Sequence, residues 1–185
     1  MMFDRILAFC MLLVLLPIFI LVAFFIVIDG GFPVFFTQKR VGKDYSFFTL
    51  YKFRTMKKHT PNVATHLLDN SEQYVLRIGR VLRKLSLDEL PNLLNIIRGE
   101  MVFVGPRPAL YNQDDLMQLR VKAGVSHLKP GLTGWAQING RDAISIEEKV
   151  ALEKEYLQKK SFVLDVKIFL STFGAAFLKK EGVSH

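Results

Sequence analysis

Cysteine is almost absent: Cys10 is the single one in 185 residues. One thiol excludes an internal disulfide and a cysteine metal cluster. Lying inside an apolar run, it reads as a small hydrophobe, and such cysteine usage fits a reducing compartment. Histidine is equally sparse, and His59, His66, His127 and His185 are too scattered to suggest a metal-binding group. No P-loop, no Gly-x-Gly-x-x-Gly after a strand and no Gly-x-Ser-x-Gly is found, which removes the common nucleotide-binding and hydrolase routes. Charge is missing altogether from Ile6 to Ile28. That run exceeds the roughly 20 residues needed to cross a bilayer. A cleavable signal peptide has a shorter apolar core of about 7–15 residues and ends in small residues. Here the run passes into Val27-Ile28-Asp29-Gly30-Gly31-Phe32-Pro33 with no Ala-x-Ala pattern. A retained membrane segment is expected over residues 1–32, followed by a catalytic domain over 33–185.

Positive charge is plentiful: 25 Lys and Arg against 17 Asp and Glu give a net charge of +8. Nucleic acid is one partner that such a balance suggests. Beside a membrane segment, anionic lipid head groups and a phosphorylated substrate fit better, and no nucleic-acid partner is expected. Lys39, Arg40, Lys43, Lys52, Arg54, Lys57 and Lys58 follow the apolar run closely, which places the body of the protein on the cytoplasmic face of the membrane. Pro17, near the middle of the run, is either a tolerated kink in a spanning helix or a break that returns the chain to its starting face.

The pattern beyond residue 32 is that of a mostly helical α+β domain. Val34 to Thr37 and Phe47 to Tyr51 read as short strands around a Gly42-Lys43-Asp44 turn. Helices are expected over 74–84, Ser86 to Gly99, 109–124 and Glu147 to Lys160, with a polar loop over 57–73. Gly105-Pro106-Arg107-Pro108 must be non-helical, because two prolines fix the backbone around the arginine. Lys129 to Trp135 reads as a turn-rich loop. Phe162 to Lys180 reads as an amphipathic helix, lying on the membrane surface or packed on the core.

Ser86-Leu87-Asp88-Glu89 fits the capping-box pattern, in which Ser86 caps a helix and Glu89 bonds back to it. Its surroundings suggest more. A helix start is also a natural phosphate site, Pro91 disturbs the first turn, and Arg80, Arg83, Lys84 and Arg107 supply positive charge. A carboxylate beside several arginines is expected to stay ionised with a depressed pKa. That suits a nucleophile attacking phosphorus while arginine forks neutralise the phosphate oxygens. Mg²⁺ fits too, since it takes one or two carboxylates plus substrate phosphates.

Four motifs now stand in order: Tyr51-Lys52-Phe53-Arg54-Thr55-Met56; Arg83-x-x-Ser86-Leu87-Asp88-Glu89-Leu90-Pro91; Phe103-Val104-Gly105-Pro106-Arg107-Pro108; and Pro130-Gly131-Leu132-Thr133-Gly134-Trp135-Ala136-Gln137-Ile138-Asn139-Gly140-Arg141. Together they resemble the bacterial sugar transferases, the small monotopic phosphoglycosyl transferases, over nearly the whole chain. The resemblance implies transfer of a sugar 1-phosphate from a UDP-sugar to undecaprenyl phosphate, with release of UMP. It implies Asp88 as nucleophile with Mg²⁺ beside it, Glu89 as catalytic partner, and Lys52, Arg83 and Arg107 as phosphate-holding residues. Arg141 would lie near the nucleotide or sugar. It also implies a re-entrant membrane helix broken at Pro17, although Leu16 stands where such proteins often carry serine. Asn139 to Ser145 is similar to members that use UDP-di-N-acetylbacillosamine, while galactose- and N-acetylhexosamine-using relatives share most motifs. A homo-oligomer and downstream glycosyltransferases are carried as further partners.

Blander readings stand beside these. Lys52 and Arg54 could form an interfacial basic rim, Trp135 an interface anchor, and Asp165 a structural ion pair with Lys167. Arg107, fixed between two prolines, has the weakest ordinary explanation. A membrane-anchored basic module binding anionic lipid is the competing function. It needs no carboxylate pair at its phosphate site, where negative charge would oppose binding.

Overall fold

The computed structural model describes residues 2–60, 71–140 and 144–178. The chain opens with helix α1 (Met2–Gly30), long and apolar enough to cross a membrane. Pro17 lies inside α1 and the helix runs on through it, so the expected division into two helices at Pro17 is not what is observed. A proline withholds one backbone N–H, and the apolar turns on either side keep their own bonds. Ala8, Phe19, Val22 and Ile26 form a buried stripe along one face. Phe9, Leu13, Val14, Ile20, Leu21 and Phe24 are exposed.

Both ends of α1 are fastened to the rest of the chain. Arg5 donates to the carbonyl oxygens of Ile97 (2.8 Å) and Arg98 (2.9 Å). At the other end the Ile78 N–H donates to the Asp29 carboxylate (2.9 Å), and Arg54 donates to the Gly31 carbonyl.

Strands β1 (Phe35–Val41) and β2 (Phe47–Phe53) form an antiparallel hairpin, in register from Phe35 opposite Phe53 to Val41 opposite Phe47. The turn falls where Gly42-Lys43-Asp44 suggested. β1 is longer than the apolar piece read from sequence, because Gln38, Lys39 and Arg40 keep pairing while their side chains alternate between the two faces. Helix α2 (Arg77–Lys84) follows, then a 3-10 turn at Leu87–Glu89 and helix α3 (Asn92–Arg98). β3 (Val102–Val104) leads through the Pro-Arg-Pro segment to β4 (Ala109–Leu110), which pairs with the end of β1. The stretch from 109 therefore begins as strand and turns helical only at α4 (Asp114–Lys122).

β5 (Gly131–Thr133) lies parallel to β3, within the region read as loop. Gly105 and Gly131 let these strands meet, since a Cβ on either would stand 2.4 or 2.1 Å from the facing backbone. Helices α5 (Trp135–Asn139), α6 (Ile146–Lys159) and α7 (Phe162–Leu178) complete the chain. A true capping box starts α6, with Ser145 and Glu148 satisfying each other's backbone N–H.

The result is the mostly helical α+β architecture expected. Its main core joins Ala8 of α1, Phe48 and Leu50 of β2, Leu93 and Ile96 of α3, Phe103 of β3, Tyr156 of α6 and Ile168 of α7. α7 combines both readings given to it: Ile168, Leu164 and Phe169 pack on the core, while Phe162, Val163, Val166 and Leu170 are exposed.

Candidate active site

Asp88 and Glu89 sit on the 3-10 turn between α2 and α3. The capping box expected there does not form. Ser86 is left-handed (φ 55°, ψ 21°) and its side chain caps nothing. An N-cap needs an extended backbone to bring its hydroxyl over the following N–H groups. Ser86 instead closes α2, its N–H donating to the Arg83 carbonyl (3.1 Å). The pair is thus presented by a tight connection and not by the first turn of a long helix.

Three elements converge on it. From β2, Lys52 Nζ lies 2.7 Å from Glu89 Oε1 and 4.0 Å from Asp88 Oδ2. From the Pro-Arg-Pro segment, an Arg107 terminal nitrogen lies 3.7 Å from the same Glu89 oxygen. From α2, Arg83 donates through Nε to Thr55 Oγ1 (3.0 Å), close enough to Asp88 for the two charges to act on each other. Five of the residues singled out in the sequence are therefore one cluster: Lys52, Arg83, Asp88, Glu89 and Arg107. Arg141 lies outside the described residues, and Pro17 belongs to α1.

The electrostatics correct one expectation. Burial lifts the Asp88 carboxyl above its ordinary value; Lys52 and Arg83 oppose this, while Glu89 adds to it. The side chain is only 14% exposed, and lost hydration outweighs the nearby cations. Asp88 is thus a desolvated carboxylate with too little compensating charge. Together with Glu89 it offers hard oxygen donors of the kind Mg²⁺ takes. Among the described residues no group of three or more metal-ligating side chains occurs, so a metal here would draw further ligands from substrate or water.

Residues not singled out complete the site. Arg107 is held by its backbone: the Pro106 carbonyl accepts from the Gly131 N–H (2.9 Å), the Arg107 carbonyl from Arg120 (3.0 Å), and the Pro108 carbonyl from Arg40 (3.0 Å). Arg120 is itself clasped by Glu153 in a buried pair, with Nε to Oε2 at 2.8 Å. Asn95, fully buried, ties β2 to α3. Its amide donates to the Thr49 carbonyl (2.7 Å) and to Glu100 (2.7 Å), and it accepts from the Tyr51 N–H (3.2 Å). In the sequence Arg40 stands out only as part of the basic flank. Alternation along the hairpin would have placed it on the sheet face that carries Lys52.

The model of the bacterial sugar transferase family matches residues 1–179, which takes in every element of the cluster. The chain belongs to that family. This sugar transferase is 49% identical over 143 residues to the sugar transferase EpsL of Bacillus subtilis, covering 77% of this chain and 69% of that protein. It is 38% identical to the exopolysaccharide production protein ExoY of Rhizobium meliloti, over 96% of this chain and 85% of the other. It is 36% identical to the UDP-glucose:undecaprenyl-phosphate glucose-1-phosphate transferase of Escherichia coli, over 96% of this chain and 40% of that longer protein.

Proposed function

We propose that the chain moves a sugar 1-phosphate from a UDP-sugar to undecaprenyl phosphate, releasing UMP, on the cytoplasmic face of a bacterial inner membrane. The observation that carries this reading is the half-buried Asp88-Glu89 pair ringed by Lys52, Arg83 and Arg107. The reaction named for the Escherichia coli relative supports it.

In this reading an Asp88 oxygen attacks the sugar-bearing phosphorus. The bond from that phosphorus to the bridging oxygen breaks, and UMP leaves with the electron pair. A sugar-phosphate ester of Asp88 remains. An oxygen of undecaprenyl phosphate then attacks the same phosphorus, releasing Asp88 and forming the lipid diphosphate sugar. Glu89, held between Lys52 and Arg107, positions the lipid phosphate. Arg83, Lys52 and Arg107 offset charge on the phosphoryl oxygens. Mg²⁺ bound by Asp88 would supply further charge neutralisation.

The same reading makes α1 re-entrant. A helix of 29 residues is about 43 Å long, yet Arg5 and Asp29, near its two ends, both bond to the catalytic body. Crossing to the far face of a bilayer would break the Arg5 contacts. A membrane-anchored basic lipid-binding module is the rival, and the acidic pair at the centre of the basic cluster argues against it.

Asp88→Asn tests the central step. UMP release should fall by several orders of magnitude, and mixing wild type with donor alone should leave a sugar-phosphate mass on the Asp88 peptide. Wild-type turnover by the variant would remove Asp88 as nucleophile. The donor sugar is decided by a panel. UDP-di-N-acetylbacillosamine, suggested by Asn139 to Ser145, competes there with UDP-glucose and UDP-galactose.

A further inference from the structure

A shallow cleft, open to solvent, lies beside the acidic pair, lined among others by Arg40, Lys52, Glu89, Asn92, Met101 and Leu132. Its charged members suit phosphate. Burial, and then the nearby Arg107 charge, lower the Arg40 pKa to about 10, so a further anion is welcome there. Asn92 does not fit that description. It is 3% exposed, and its Oδ1 is fully buried with no hydrogen-bond partner. A buried acceptor left unpaired is costly, and native proteins rarely keep one without a use.

Phosphate oxygens at neutral pH are acceptors and cannot satisfy another acceptor. Lys52 Nζ is turned to Glu89 and makes no bond to Asn92. An O–H or N–H group satisfies the Asn92 oxygen, as a cation would. In the same cleft Arg40 Nε is a buried donor, likewise without a partner. A hydroxyl, which donates and accepts, complements such a pair of needs, and the neighbouring Leu132 and Met101 suit the C–H face of a sugar ring.

We propose that this cleft is the sugar subsite and that Asn92 sets its specificity by accepting a hydrogen bond from one hydroxyl or amide N–H of the transferred sugar. This deepens the transferase reading above and rests on it. Glu89 and Asn92 line the same cleft, which puts the sugar next to the acidic pair.

The test uses the full chain in nanodiscs with undecaprenyl phosphate and measures UMP release. The best UDP-sugar from a panel is compared with its monodeoxy (or deacetamido) analogues. In wild type, removal of one particular group should lower kcat/KM on the order of 10- to 100-fold. Asn92→Ala should bring the parent sugar down to the analogue's rate and leave the analogue's own rate nearly unchanged. The proposal is overturned if wild type uses every analogue as well as the parent, an outcome that needs no variant to fold. It is also overturned if Asn92→Ala keeps the full discrimination, or shifts only the Mg²⁺ concentration needed for half-maximal rate. No UMP from any UDP-sugar would sink the transferase reading itself and this proposal with it. UMP release with unchanged sugar preference would sink this proposal alone.

Discussion

At the scale of residues, the site depends on charges held where hydration is poor. Because burial raises the Asp88 pKa, the folded state keeps that proton to higher pH than the unfolded chain does. Stability from this group is therefore full below the unfolded pKa and is lost as pH rises through the folded one. Three results are expected. In EDTA the Asp88 carboxyl, titrated by NMR, should keep its proton above the ordinary aspartate range, and Lys52→Met, which removes the largest opposing charge, should move it higher still. In EDTA at neutral pH, the inactive Asp88→Asn protein should melt at a higher temperature than wild type, since it no longer buries that charge. A titration at the ordinary aspartate value would contradict the desolvation argument. Arg120 offers a second case. Arg120→Leu leaves Glu153 buried and unpaired, at a cost of about 3–5 kcal/mol, and frees the Arg107 carbonyl. Urea unfolding should show the loss. Arg120→Leu/Glu153→Leu should recover stability, but not the hold on Arg107 that activity requires.

At the scale of elements, the site is a meeting of short pieces fixed by side chains. β2 is an edge strand, and edges expose unpaired backbone groups. Asn95 covers that edge by bonding both Thr49 and Tyr51, which sets the distance from Lys52 to the acidic pair. Asn95→Leu should cost about 1–3 kcal/mol for each group left unsatisfied, measured by urea unfolding. It should also lower kcat, because Lys52 loses its fixed position. Little of this was legible beforehand. The helix over Ser86 to Gly99 was read as one element, whereas a left-handed Ser86 closes α2 and a 3-10 turn carries the carboxylates. The Ser-x-x-Glu spacing is the same in either case; only the backbone angle at Ser86 separates them.

At the scale of the whole molecule, one apolar helix is bound along its length to a basic domain. Its exposed Phe, Leu, Ile and Val side chains far outnumber those in its buried stripe. With Cys10→Ala as background, a Phe3→Cys variant should react with a membrane-impermeant maleimide only from the cytoplasmic side of inside-out vesicles. Labelling from the periplasmic side would remove the re-entrant arrangement. Arg5→Ala should weaken it without altering how much protein floats with membranes, since flotation follows apolar area.

The sequence alone was enough for what depends on local chemistry. The uncharged run marks α1, alternation and turn residues mark the β1–β2 hairpin, and two prolines keep Arg107 out of a helix. The four motifs also named the residues of the charged cluster. Only the tertiary structure decided how those residues act on one another. That Asp88 is desolvated and not simply salt-bridged follows from how deeply the turn is covered. That three carbonyls around Arg107 are gripped by Gly131, Arg120 and Arg40 follows from β3, β5, β1 and α4 meeting at one place. Asn92 could not be singled out from its neighbours, because an unpaired atom is defined by everything that surrounds it.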